Sequence, residues 1–224
     1  LSSSVHGHEA GYISAVLFLV PGFPLVTGAL DLAKLDFSAG VARTAYALMI
    51  LTSAGLSVWA VSWMVGLSPD PVPPAELPWV LTFVFRLLAG WFGVLGFALM
   101  FNSPWRMAIG AATIGMIANT LRLELASAGM AIQAATMIAT FCVGLMAAVV
   151  APRLKVPRIT ISVPAVVIMV PGAAAYRSLF GLNNGDVDLA VTNGATAVFV
   201  IISIAVGLAA GRIVTDRAWA YERG

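Results

Sequence analysis

Long apolar runs alternate along the chain with short polar clusters. Seven runs stand out, at 12–35, 41–67, 79–101, 106–126, 130–151, 159–182 and 189–214. Each is long enough for a helix rising 1.5 Å per residue to cross roughly 30 Å of hydrocarbon. The runs are continuous, not alternating segments of about ten residues, which favours helices over a barrel. The clusters between them predict turns: "NSPW" at 102–105, "PRLKVPR" at 152–158 and "NNGD" at 183–186. One Pro-rich linker, "SPDPVPPAELP", fills 68–78. The pattern predicts an all-α polytopic membrane protein of about seven spans.

Two runs are interrupted in the same way. "VPGFPLVTG" begins at Val20 and "VPGAAAYRS" at Val170, so Pro21-Gly22 and Pro171-Gly172 fall inside membrane-length segments. Shifting the chain by 150 residues aligns these breaks, aligns Asp36 with Asp186, and matches several Ala and Val positions around them. The spacing predicts an internal duplication of the first two runs in the last two. Five spans separate the first run from the sixth, so the copies should cross in opposite directions. Inverted repeats with broken helices are an architecture of secondary transporters. A mid-helix proline removes a donor and frees a carbonyl, tolerable in lipid only where protein or a water-filled cavity satisfies the freed groups. A half-helix restarting at Gly22 or Gly172 is expected to present amides and a positive dipole end to a carboxylate.

Composition sharpens the class. Hydrophobic residues make up 60% of the 224 and charged residues 10%, with a mean hydropathy of +0.97. A soluble domain carries about 25% charged residues, so the missing solvent is lipid. The net charge of +2 is scattered, and no basic stripe with aromatics supports nucleic-acid binding. Arg106, Arg153, Lys155, Arg158, Arg212, Arg217 and Arg223 flank alternate run ends, whereas the linker holds Asp70 and Glu76 and no base. Lys34 and Arg43 fall on the basic side as well. By the positive-inside tendency the N-terminus of this chain lies outside and the C-terminus in the cytoplasm. Cys142, the single cysteine, reads as a packed apolar residue and permits no disulfide within the chain. "LSSSVHGHEAG" has neither an initiator Met nor a basic signal-peptide region, so the chain is expected to be a piece of a longer protein. His6, His8 and Glu9 in that stretch read as a polar end, not a metal site.

Residues 79–217, above all "VPGAAAYRSLFGLNNGD", resemble the C-terminal domain of the threonine/serine exporter family, and "FLVPGFPLVTGALDLAKLDFSAGVAR" resembles the end of that family's N-terminal domain. The resemblance implies ten spans, five per domain. It divides this chain into 1–66 (the last two helices of the first domain), a linker at 67–78, a five-helix second domain at 79–217 and a cytoplasmic tail at 218–224. It implies export of threonine and serine across a bacterial inner membrane, or of a dicarboxylate in two-subunit relatives. It also implies helices, or a partner subunit, beyond this chain.

The candidate substrate-binding residues are the breaks themselves, Pro21, Gly22, Pro171 and Gly172, and the ionisable or polar residues within runs: Thr27, Asp31, Asn119, Arg122, Glu124, Tyr176 and Arg177. Ionisable residues inside a span are costly and therefore invite a functional reading. Arg177 beside Tyr176 suits a substrate carboxylate. Arg177 and Arg122 also suit helix C-terminal caps or partners of Asp186 and Glu124. Gly115, Asn119 and Arg122 share one helical face, as do Thr27, Asp31 and Lys34. Asp31 suits a substrate ammonium, a coupling proton, or an ion pair with Lys34; Glu124 is the other carrier candidate. Arg86 reads as interfacial, Asp36 and Asp186 as helix N-caps, and Gly90, Gly93 and Gly96 as packing positions. No Walker-type phosphate loop, H-E-x-x-H motif or nucleophile–base set occurs inside a run, so an ion-coupled transporter without cofactor or metal is expected, not an enzyme. The expected partners are a small solute and the bilayer, with room for a homo-oligomer. A non-transporting membrane scaffold is the alternative class.

Overall fold

The structure, a computed structural model, describes residues 20–66 and 77–216. Among them eight helices form and no strand: α1 Gly22–Ala33, α2 Phe37–Val65, α3 Trp79–Met100, α4 Trp105–Ser127, α5 Ile132–Leu154, α6 Ile159–Val167, α7 Gly172–Asn184 and α8 Val187–Thr215. The ends follow local chemistry. Pro78 and Pro104 precede α3 and α4, where a missing N–H costs nothing. Asp36 accepts from the Ala39 amide at 3.2 Å and Asp186 from the Leu189 amide at 2.9 Å, capping α2 and α8 as expected. Gly66 and Gly185 end α2 and α7 with φ of 69° and 75°, a conformation glycine adopts without strain.

The sixth run is broken where the sequence predicts, α6 and α7 meeting at 52° across residues 168–171. For the first run only the half after the break, α1, lies within the described residues. Both breaks share one geometry. Pro21 has φ −75° and ψ 64°, Pro171 φ −81° and ψ 57°. Each is the centre of an inverse γ-turn, in which the Gly22 amide donates to the Val20 carbonyl at 2.7 Å and the Gly172 amide to the Val170 carbonyl at 2.8 Å. Helix starts also agree at the 150-residue shift, since α1 and α7 begin at Gly22 and Gly172 and α2 and α8 at Phe37 and Val187.

Contacts fix the directions. A Cβ on Gly22 would meet Val167 and Val170 at 3.2 and 3.4 Å, so α1 starts against the end of α6. Farther on, Thr27, Asp31 and Lys34 share a cavity with Arg158 and Ser162 at the start of α6. Hence α1 runs back along α6 while α7 runs onward, and the two half-helices diverge from a common junction. From the Lys34 end α2 returns along α1, where Gly40 abuts Leu32, and then reaches α7, where Gly55 abuts Leu179. In the opposite sense α8 packs on α7, where Gly194 abuts Ser178, and then brings Leu208 and Arg212 beside α1. The two hairpins are inverted and cross-braced.

The core around this brace is built from small side chains: Val94 of α3, Ala111, Ala112 and Ala118 of α4, Ala139 and Val143 of α5, and Ile161, Ala165 and Val166 of α6. Small residues let membrane helices approach closely. Gly115 of α4 lies against Val94 and the Ala165 carbonyl, and Gly144 of α5 lies against Gly211 of α8. Of the packing glycines expected in α3, Gly90 abuts Met116 and Gly93 abuts Ile168, while Gly96 faces open space.

Four helices, α2, α3, α5 and α8, are long and apolar enough to cross a membrane, and α6 with α7 passes the same test as a bent pair. The expected count of seven is therefore not reached among the described residues. In the first run only the 12-residue α1 is described. The 23-residue α4 carries Arg106, Arg122 and Glu124 and falls short in apolarity. It packs against α3, α5 and α6 at the centre of the bundle, where a helix needs less apolar surface than one facing lipid.

Candidate functional site

The eleven candidate residues do not converge on one pocket; they fall into four places. The breaks come together: Val20, Leu25, Val170, Pro171 and Ala175 line a common cavity of about 160 Å³, otherwise bordered mainly by Leu, Ile and Val side chains. No side chain caps either half-helix among the described residues. The first amide of each is turned back onto its own γ-turn, and Pro24 removes another donor in the first turn of α1. The half-helix starts thus offer fewer free donors than an open helix end, in apolar surroundings.

Thr27 and Asp31 line a second cavity, of about 50 Å³, with Lys34, Arg158, Ser162 and Arg212. It lies between α1, α5, α6 and α8, so both repeats contribute to it. The Thr27 hydroxyl donates to the Phe23 carbonyl at 2.9 Å. Asp31 is bridged at 2.6 Å by Arg43, not by Lys34 as its helical spacing suggested. Arg43 reaches it from α2 across the turn. Arg158 Nη1 donates to Thr215 Oγ1 at 2.7 Å, which ties the start of α6 to the end of α8.

Asn119, Arg122 and Glu124 lie toward the opposite end. Asn119 is buried and accepts from Arg122 Nε at 3.1 Å. It borders a third, wide cavity with Thr82, Arg86, Gly90 and Ile168. Glu124 accepts from Arg86 Nη1 at 2.7 Å and from Trp79 Nε1 at 3.1 Å. Arg86, read as interfacial, is therefore a half-buried ion-pair partner, and Arg122 bonds to Asn119 instead of Glu124. The Arg86–Glu124 ion pair and the Trp79 bond join α3 to α4, whereas the Arg122–Asn119 bond lies within α4.

Tyr176 is buried on α7, its hydroxyl donating to Ser62 Oγ of α2 at 3.5 Å, and its ring 6.2 Å from Phe180. Arg177 follows it, half-buried. Close by, Trp59 Nε1 donates to Asn184 Oδ1 at 3.2 Å. Asp186 is engaged as the cap of α8.

Sequence reasoning missed Lys34, Arg158, Ser162 and Arg212 as a set. Arg158 and Arg212 were read only as basic flanks, and no local pattern links residues at the start of α6 and the end of α8. The 150-residue shift would have helped: Arg212 corresponds to Ser62, and Thr27 to Arg177, so the mixed charges mark equivalent places in the two hairpins.

Among the described residues no cluster of His, Cys, Asp or Glu is arranged to hold a metal ion. No solved structure matches the chain. A family model described as "Threonine/Serine exporter, ThrE" matches residues 86–214, more than half of the chain. A second family model, described as "Putative threonine/serine exporter", matches residues 1–65, which covers the first broken run and all of α2. The two matches take in both Pro-Gly breaks and both capped hairpins, and this chain belongs to the threonine/serine exporter family.

Proposed function

We propose that the chain is part of a secondary active exporter that moves threonine and serine out of the bacterial cytoplasm, driven by an ion gradient. The observation that carries the reading is the pair of inverted, cross-braced hairpins whose breaks meet, with Gly22 against Val167 and Val170. Two repeats that diverge from one junction can rock about it and expose a site alternately to either side. The division into 1–66, a linker at 67–78, 79–217 and a tail at 218–224 belongs to this reading, as do further helices or a partner subunit.

In this reading the Lys34 end is cytoplasmic. Support comes from the gathering of Lys34, Arg158 and Arg212 around one cavity, which suits the excess of Lys and Arg on the cytoplasmic face. Of the two carrier candidates, Asp31 suits proton coupling better, because it borders a cavity. Glu124 is held by both Arg86 and Trp79. A small dicarboxylate is the second reading, favoured by three cations facing one carboxylate in the cavity wall.

Counterflow in proteoliposomes separates these readings. Preloaded threonine should drive uptake of labelled threonine and serine but not labelled succinate, and an uncoupler should abolish net accumulation. Succinate exchange without threonine exchange favours the second reading, and flux that ignores both pH and uncoupler removes proton coupling.

A further inference from the structure

The cavity between α1 and α8 gathers three cationic side chains from the ends of three helices. Its wall holds Lys34, Arg158 and Arg212 against Asp31, and Asp31 is already bridged by Arg43 from outside the wall. Arg212 sits in the last turn of α8, where a cation complements the helix dipole. That role explains one arginine at that end and not a second, brought from α6. Thr215 holds the Arg158 guanidinium at 2.7 Å, within one turn of Arg212. Its own hydroxyl donates to the Gly211 carbonyl at 2.8 Å, so the arrangement is braced. Ser162 lies one helical turn beyond Arg158, on the same face of α6. The opposite wall is Gly144 and Ala147 of α5, which leave room and carry no charge. A forked guanidinium is shaped for a carboxylate, and cationic residues lining a cavity in a membrane protein mark a solute path.

We infer that this cavity binds a small carboxylate, held by Arg158 and Arg212 with the Ser162 hydroxyl, and that Asp31 faces the other end of the solute. The inference rests on the export reading only in taking that carboxylate to belong to the exported solute. It moves the binding site from the amides at the breaks to the second half of α1.

The test is solute protection of one engineered thiol in the complete protein, held in lipid nanodiscs. Cys142, the single native cysteine, is replaced by alanine, and Ser162→Cys is modified with a water-soluble thiol reagent. Threonine and succinate, added separately, are the probes. Slowed modification by either supports the site, and which one acts names the source of the carboxylate. Arg212→Gln should raise the concentration giving half-protection about ten- to hundredfold, the effect of losing one charge-assisted hydrogen bond. Arg212→Lys, which keeps the charge and loses the fork, should fall between. Protection by neither probe, or protection that Arg212→Gln and Arg158→Gln leave unchanged, overturns the inference. Circular dichroism and gel filtration exclude misfolded variants; if Arg212→Gln does not fold, Arg158→Gln carries the comparison. Flux that persists without protection leaves export standing and removes this site. Protection without flux does the reverse.

Discussion

The hairpins α1–α2 and α7–α8 share the same inverse γ-turn, the same Asp cap and a second helix of the same 29-residue length, yet they seal opposite ends of the molecule differently. Where α8 meets α1, Thr27, Asp31, Lys34 and Arg212 border an open cavity. In the equivalent place, where α2 meets α7, Trp59 bonds to Asn184 and Tyr176 to Ser62. Lys34 corresponds to Asn184 and Arg212 to Ser62, so charged residues at one end are exchanged for neutral hydrogen-bonding ones at the other. Matching backbone with unequal side chains gives a charged cavity at one hairpin junction and a neutral, hydrogen-bonded contact at the other. The two long helices differ as well. In their most apolar stretch α8 is 44% buried and α2 is 17% buried. The cause is α5, which runs along α8 and has no counterpart against α2 among the described residues.

The largest expected effect breaks that last contrast. A Cβ at Gly207 would run into the Met137 carbonyl oxygen, the Phe141 amide and the Thr140 hydroxyl of α5, mostly backbone that cannot step aside. Gly207→Val should destabilise the protein by about 3 kcal/mol or leave no folded protein, as expected for overpacking. The equivalent residue on α2, Ser57, is exposed. Ser57→Val should change stability by no more than about 0.5 kcal/mol. Thermal unfolding in detergent, followed by circular dichroism, measures both. Equal losses would mean that α2 is packed as tightly as α8.

A smaller effect sharpens the contrast between the two hairpin junctions. Ser62 is fully buried beneath Tyr176. With Cys142 replaced by alanine, Ser62→Cys should react slowly with a water-soluble thiol reagent. Adding Trp59→Ala, which removes the indole bonded to Asn184, should speed the reaction about tenfold, the equivalent of one lost hydrogen bond of roughly 1.4 kcal/mol. An unchanged rate would mean that Trp59 does not close this end.

Much of this arrangement is legible in the sequence, because part of it is written in residues with strict backbone rules. Proline followed by glycine sets a break wherever it falls, and an aspartate just before a helix sets a cap. Those two signals, repeated 150 residues apart, yielded the hairpins, and the count of runs between them yielded their inversion. The side-chain partners were not legible. Asp31 reads as a partner of Lys34 at i+3, but its partner is Arg43 on the next helix. Glu124 finds Arg86, 38 residues away. Arg158 and Arg212 enter the cavity only because α6 and α8 both pack against α1 and α5, a tertiary fact that no local spacing encodes. The low apolarity of α4 has the same origin, since its place at the centre of the bundle relaxes the pattern that lipid imposes.

The smallest effect tests whether the two hairpins are equivalent where their surroundings are not. Asp36→Ala and Asp186→Ala each remove one side-chain acceptor from a helix start, a loss of about 1 kcal/mol. The bonds are local, 3.2 Å to the Ala39 amide and 2.9 Å to the Leu189 amide, and both are exposed. The deeper burial of α8 should therefore not enter, and the two losses should agree within about 0.5 kcal/mol. Chemical denaturation in mild detergent resolves that difference. A loss at Asp186 larger by a full kcal/mol would show that this cap also positions α7 against α8, where Gly181 already abuts the Asp186 carbonyl and Ala190. The equivalence would then hold for the backbone turns alone.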